Sequence, residues 1–194
     1  MWEEHPIYKT SVAGDRIRQG EILSNVLQVH LSLETLTAAE PVADFKKHPF
    51  AIVLTQDCDL EQDFERRQEN EEPTLPNVLF CEVVTEDELK DAIPGSDIWK
   101  RVRANKDERY QYLRAVKAEQ DARGEGTPAL GIDFKRLFTV PTEEVYARIA
   151  TGEMARRCRL LSPYPEHLSH RFCSFHMRVA LPAEHLVKET QPQA

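Results

Sequence analysis

Long apolar runs are missing from this chain. The longest uninterrupted one spans Phe50 to Leu54, where a membrane helix needs about 20 residues. Glycine is sparse, at 7 in 194 residues, and neither G-x-G-x-x-G nor G-K-[ST] occurs. That argues against a Rossmann dehydrogenase or a nucleotide-driven motor, whose phosphate-cradling loops need those glycines. The 4 cysteines (Cys58, Cys81, Cys158, Cys173) form no C-x-x-C pair, so reduced, packed thiols are expected rather than a disulfide framework. Residues Met1 to Pro6 have neither a basic nor an apolar region. The expectation is therefore no secretory signal, a cytoplasmic location and no membrane association. No internal repeat is visible.

What is present suits one compact body. With 41% hydrophobic and 30% charged residues, the chain is too apolar to be wholly disordered and long enough for one sizeable core. A single α+β domain over residues 1–186 is expected, with 187–194 as a disordered tail. The net charge of −8 is unevenly spread. Acids dominate from Asp57 to Glu72, and bases dominate in segments 100–123 and 156–178. Solvated faces account for most such runs, but the basic segments permit a nucleic-acid partner.

Periodicity places the elements. Arg16 to Leu23 suits a short strand. Val29, Leu31 and Leu33 alternate with polar residues as in a half-buried strand. Phe50 to Thr55 reads as a central strand buried on both faces, and Val78 to Val84 as another. Thr85 is placed to cap a helix over 86–92, and Thr142 one over 142–151. Strands are expected at Arg109–Arg114, Ala129–Phe134 and Leu137–Val140. A helix over 165–174 is expected to feed a closing strand, Phe175 to Leu181. The predicted sheet is small, curved and mostly antiparallel, or closed as an SH3-like barrel with peripheral helices.

Three constellations carry chemistry. Asp57-Cys58-Asp59 follows the central strand; if the strand continued, both carboxylates would point the same way and could hold Mg²⁺ or divide acid and base work. The alternative is that they accept backbone amides in a turn. Asp133-x-Lys135 supplies half of a metal-dependent nuclease site, with Asp57 as a second acid; the alternative is an alternating strand with both in water. His167, His170, Cys173 and His176 follow at three-residue spacing, and with Cys58 or Cys158 could hold Zn²⁺. A Cys58 nucleophile would need one of these histidines brought in by the fold. Tyr110 and Tyr112, beside Arg109 and Arg114, could stack single-stranded bases or rim a core.

Gly14-Asp15, the strand His48-Pro49-Phe50-Ala51-Ile52-Val53-Leu54-Thr55 and the run Val78 to Thr85 together resemble the PemK/MazF-like toxins over residues 12–85. The resemblance implies an SH3-like barrel, often dimeric, and metal-independent RNA cleavage, with Thr85 aligned to an active-site hydroxyl and His48 where the toxins carry Arg before Pro. The Asp57-Cys58-Asp59 run lies outside the toxin pattern, and so does the long body after Thr85. Gln56-Asp57-Cys58-Asp59-Leu60 reads as a hallmark of a bacterial family of its own.

The functional expectation is a non-catalytic accessory subunit of a bacterial multi-protein system, such as toxin–antitoxin or phage defence, with a protein partner or a second copy of itself. The acidic surface and the incomplete catalytic sets motivate it. The rival is a nuclease, toxin-like at His48 and Thr85 or Mg²⁺-dependent at Asp57, Asp59, Asp133 and Lys135. A structural zinc or thiol site at Cys58 is a third possibility. The residues carried forward are Asp57, Cys58, Asp59 and Thr85 for catalysis, Asp57 and Asp59 for metal, and His48, Arg109, Tyr110 and Tyr112 for binding.

Overall fold

The structure is a computed structural model that describes residues 6–178. Seven strands form one antiparallel sheet: β1 (Tyr8–Thr10), β2 (Glu21–Leu31), β3 (Ala43–Val53), β4 (Asn77–Thr85), β5 (Tyr110–Leu113), β6 (Leu130–Pro141) and β7 (Ala155–Leu160). Their order is β1-β7-β2-β3-β4-β6-β5. The outer strands β1 and β5 do not pair with each other, so the sheet is open and not closed into a barrel. Helices α1 (Asp57–Gln68), α2 (Glu86–Asp91), α3 (Ser96–Arg103), α4 (Thr142–Ala150) and α5 (Tyr164–His176) pack around it. The fold is therefore α+β.

Alternation along the central strands sorts side chains to two faces. Ile22, Ile52, Cys81, Val83, Ile132 and Phe134 face α5, which answers with Leu168, Phe172 and Phe175. Leu23, Ala51, Val53, Phe80, Phe138 and Val140 face the other way, against Leu60 of α1 and Val145 of α4. Each fully buried Ile, Leu or Phe contributes about 1.5–3 kcal/mol. Of the strand expected to be buried on both faces, Phe50 to Thr55, the part Phe50–Val53 is the end of β3 and lies between β2 and β4. A smaller cluster forms where α2 and α3 cover Val84, Tyr110 and Tyr112. There Gly131 leaves the space that Leu89 fills, and a Cβ on it would collide with that side chain.

Several local expectations need correcting. Arg16 to Gly20 is a loop, and β2 starts only at Glu21. The chain does not continue as a strand past Val53: Asp57 opens α1, where Asp57 and Asp59 favour the positive helix end and Arg66 and Arg67 the negative one. Thr142 is inside α4, with Pro141 at the cap position and no side-chain cap. Phe175 and His176 belong to α5, because Leu168, Phe172 and Phe175 fit a helical stripe better than an alternating one. The rest of the expected closing strand, from residue 179, and the tail 187–194 lie outside the described residues. The two pieces expected at 129–134 and 137–140 are one strand, β6.

Candidate functional site

The acids after β3 are not presented as a pair. Two residues apart on a helix means roughly 200° of rotation, so Asp57 and Asp59 diverge. Asp57 Oδ2 takes the Arg16 guanidinium at 2.8 Å, and its Oδ1 accepts the Gln19 amide at 3.1 Å. Arg16 also donates to the Asp57 carbonyl and meets Glu61 at 3.0 Å. Asp57 thus fastens the loop before β2 to the start of α1. Cys58 and Asp59 are exposed beside it. Thr85 closes a capping box, accepting from the Glu88 amide while Glu88 accepts from the Thr85 amide at 2.8 Å.

The other predicted groups are also dispersed. Asp133 is held by the Arg109 fork, with Nε to Oδ1 at 2.8 Å, rather than standing in water. It shares no partner with Asp57, and Lys135 points to solvent. His176 Nε2 sits 3.2 Å from the Phe134 carbonyl, Cys173 is exposed and Cys158 is buried in the sheet. Burial pushes the Cys158 thiol up to about 12, as expected of an inert packed thiol. Among the described residues, no group of three or more His, Cys, Asp or Glu is placed to hold a metal ion.

One charged groove does form, at His48. On β4, Phe80 packs in the α1/α4 cluster and Val84 in the α2/α3 cluster, leaving Glu82 between two helical layers. Opposite Glu82, β6 makes a wide bulge: Cys81 pairs with Leu137 but Val83 pairs with Ile132, so Asp133 to Arg136 stand against one residue. Such bulges re-aim side chains. Here Phe134 turns into the α5 core, Asp133 toward Arg109 and Arg136 toward Glu82. His48, 1% exposed, stacks on Phe138 with ring centroids 3.9 Å apart. Its Nδ1 lies 3.2 Å from Glu82 Oε1 and its Nε2 lies 3.1 Å from Gln28 Oε1. A neutral ring has one N–H, which goes to Glu82; turning the Gln28 amide over then gives Nε2 a donor.

Lys46 and Arg136 complete the groove, 3.2 and 3.3 Å from the Glu82 carboxylate, around a pocket of about 420 Å³. Burial, assisted by Lys46, holds the His48 imidazole below its ordinary value against the pull of Glu82. Burial alone would raise the Glu82 carboxyl, but Lys46, His48 and Arg136 together hold it low. Arg109 and Tyr110 lie just across the bulge, with the guanidinium 4.8 Å from the ring centroid. Of the four predicted binding residues only His48 lines this groove; Tyr110 packs with Tyr112 in the α2/α3 cluster, and Arg109 is engaged by Asp133. Tyr112 also donates to Glu86 and packs at Trp99.

The second feature is an arm. Pairing of β2 with β7 stops at Ser24, and pairing of β3 with β4 begins at Phe50. Among the described residues, Leu27 to Leu31 and Ala43 to Lys47 are paired only with each other. The register sets Leu27 against Lys47, Val29 against Phe45 and Leu31 against Ala43. These six share one face, and among the described residues nothing covers its outer part: Val29 is 44% exposed, Leu31 50% and Phe45 65%. Leu33, Leu36 and Val42 near the tip are exposed too.

Comparison with models of known families, with curated proteins and with solved structures finds no match. The site is therefore read from its own chemistry. Sequence reasoning saw the alternation of Val29, Leu31 and Leu33 but expected it half-buried, whereas Val29 and Leu31 are exposed and Leu33 lies beyond the end of β2. It missed Glu82 and Arg136 because their meeting at His48 depends on the β6 bulge.

Proposed function

We propose that this protein is a non-catalytic interaction subunit that docks on a partner protein through the apolar face of the β2–β3 arm. The observation that carries the reading is the arm itself. An isolated two-stranded ribbon is marginal in water, yet this one keeps Val29, Leu31 and Phe45 uncovered. Contiguous apolar patches of this kind mark interaction sites. Lys47 stands at the root of the face, opposite Leu27, so the fitting surface is apolar with a carboxylate on that side. The assembly would be the multi-protein system expected from the sequence. A photo-crosslinking residue at Phe45 tests it: the captured protein is purified and its affinity for the free chain measured. Leu31→Lys with Phe45→Lys is expected to weaken that affinity at least tenfold. Unchanged affinity would overturn the reading.

A second reading draws on the His48 groove. A histidine between a carboxylate and two cations suits the toxin-like endoribonuclease, though on an open sheet. It predicts cleavage of single-stranded RNA by the pure chain in EDTA, lost in His48→Gln. Asp57, tied to Arg16 and Gln19, offers less to the Mg²⁺-dependent version.

A further inference from the structure

Besides its face, the arm has two backbone edges that no strand among the described residues pairs with, and they differ. The β3 edge carries Lys46, Lys47 and Pro49, which are devices that keep an edge from pairing: like charges repel and proline has no N–H. The short outer strands β1 and β5 give little to pair with. The β2 edge from Leu27 to Leu31 is different. It reads Leu-Gln-Val-His-Leu, without a charged carboxylate, lysine, arginine or proline. A shift of register at Ile22/Leu23 and the left-handed Asn25 (φ 61°) mark where β2 departs from β7, and among the described residues no strand pairs with this edge beyond Ser24.

The pattern is symmetric about Val29. In an antiparallel pair, directly opposed residues lie on the same face. A two-fold axis at Val29 sets Val29 against its own copy, Leu27 against Leu31, and Gln28 against His30. Apolar meets apolar on one face and uncharged polar meets uncharged polar on the other. Centring on Gln28 instead would bring the fully buried Val26 opposite His30. Centring on His30 would run past the end of the strand. One register satisfies the edge.

We infer that two copies of this chain join along the β2 edge, antiparallel about Val29, to give a four-stranded ribbon β3-β2-β2-β3 whose apolar faces are continuous. The occupant of the edge is a second copy, because the edge is self-complementary in shape, charge and pattern. The inference rests on the arm being the docking element, and it supplies the platform on which the partner sits. The ribbon also answers the marginal stability of a lone hairpin, since four strands share what two could not. Isologous pairing of this kind closes at two copies, so no filament follows.

Sedimentation and site-directed crosslinking test it. Wild-type protein should convert from 22.3 kDa to a species of twice that mass as concentration rises from micromolar toward millimolar. Val29→Lys, which sets two cations against each other at the axis, should stay monomeric with an unchanged melting curve. With Cys58 and Cys173 replaced by Ser, Val29→Cys should crosslink under oxidation, because opposed Cα atoms about 4.5–5.5 Å apart suit a disulfide. Phe45→Cys should not, since the two β3 strands would be about 14 Å apart. A single monomeric species throughout, a dimer that survives Val29→Lys, or crosslinking at 45 rather than 29 would overturn the inference. Failure is separable from failure of the docking reading. A monomeric chain that still binds its partner through Phe45 loses only the self-pairing. A Val29 dimer whose partner ignores Phe45→Lys loses only the docking.

Discussion

His48 shows at the level of one residue how burial and charge oppose each other. Its imidazole is held below the ordinary value of 6.5 by burial and Lys46, with Glu82 pulling the other way. The unfolded chain therefore takes up the proton at higher pH than the folded one, and stability falls as pH drops from about 6.5 toward the folded value. Glu82 and Asp133, both held low by their cations, lose their contribution in a separate window below about pH 4. Thermal melts between pH 7.5 and 5 should show the histidine slope in the wild type. His48→Phe keeps a ring stacked on Phe138 and should flatten that slope; an unchanged slope would assign it elsewhere. Asp63 is the comparable case for hydrogen bonding. It is 1% exposed and accepts from the Thr74 and Leu75 amides at 2.9 and 2.8 Å and from Arg67 at 2.6 Å. Asp63→Ala strands two amides and should cost about 3 kcal/mol. For a chain of this size that is a melting-point loss of about 6–12 °C.

Helix α1 shows how an element can hide what its sequence contains. Asp57-Cys58-Asp59 looks alike whether it ends a strand or starts a helix, and only the backbone decides which acids meet. As the start of α1, Asp57 ties the 16–19 loop down while Asp59 projects outward. Asp57→Ala is expected to lose about 1–2 kcal/mol in denaturant unfolding, and Asp59→Ala should stay within about 0.5 kcal/mol. Equal losses would contradict the separate roles. The strands with continuous apolar runs, β3 and β4, were legible because burial on both faces leaves a plain signature. The strand β7 was not, because Arg156 and Arg157 read as surface residues. Only the fold shows them buried against Glu21 and Asp121, with Arg157 Nε donating to Asp121 at 2.7 Å. Helix α3 escaped notice for a related reason, since one buried residue, Val102, anchors it. The capping box at Thr85 was legible because its chemistry is entirely local.

For the whole molecule, the sheet divides into a body, clasped between α5 on one face and the other helices on the opposite face, and an arm that leaves it. The body does not depend on the arm, because β7 and β4 pair with the ends of β2 and β3 that the arm does not use. Replacing residues 28–46 by a short turn should leave a folded protein whose melting point shifts by no more than a few degrees; collapse of the body would show that the arm is structural. The groove was legible only in part: His48 stood out as a binding type, but its meeting with Glu82 and Arg136 required the bulge in β6. The proposed docking rests on the arm's face finding a cover. Hydrogen exchange across the chain, measured alone and again with the captured partner bound, tests this most directly. Amides from Leu27 to Leu31 and Ala43 to Lys47 should become protected on binding while those around α5 stay as they were. Protection confined to the groove at His48 and Arg136, with the arm unchanged, would contradict it.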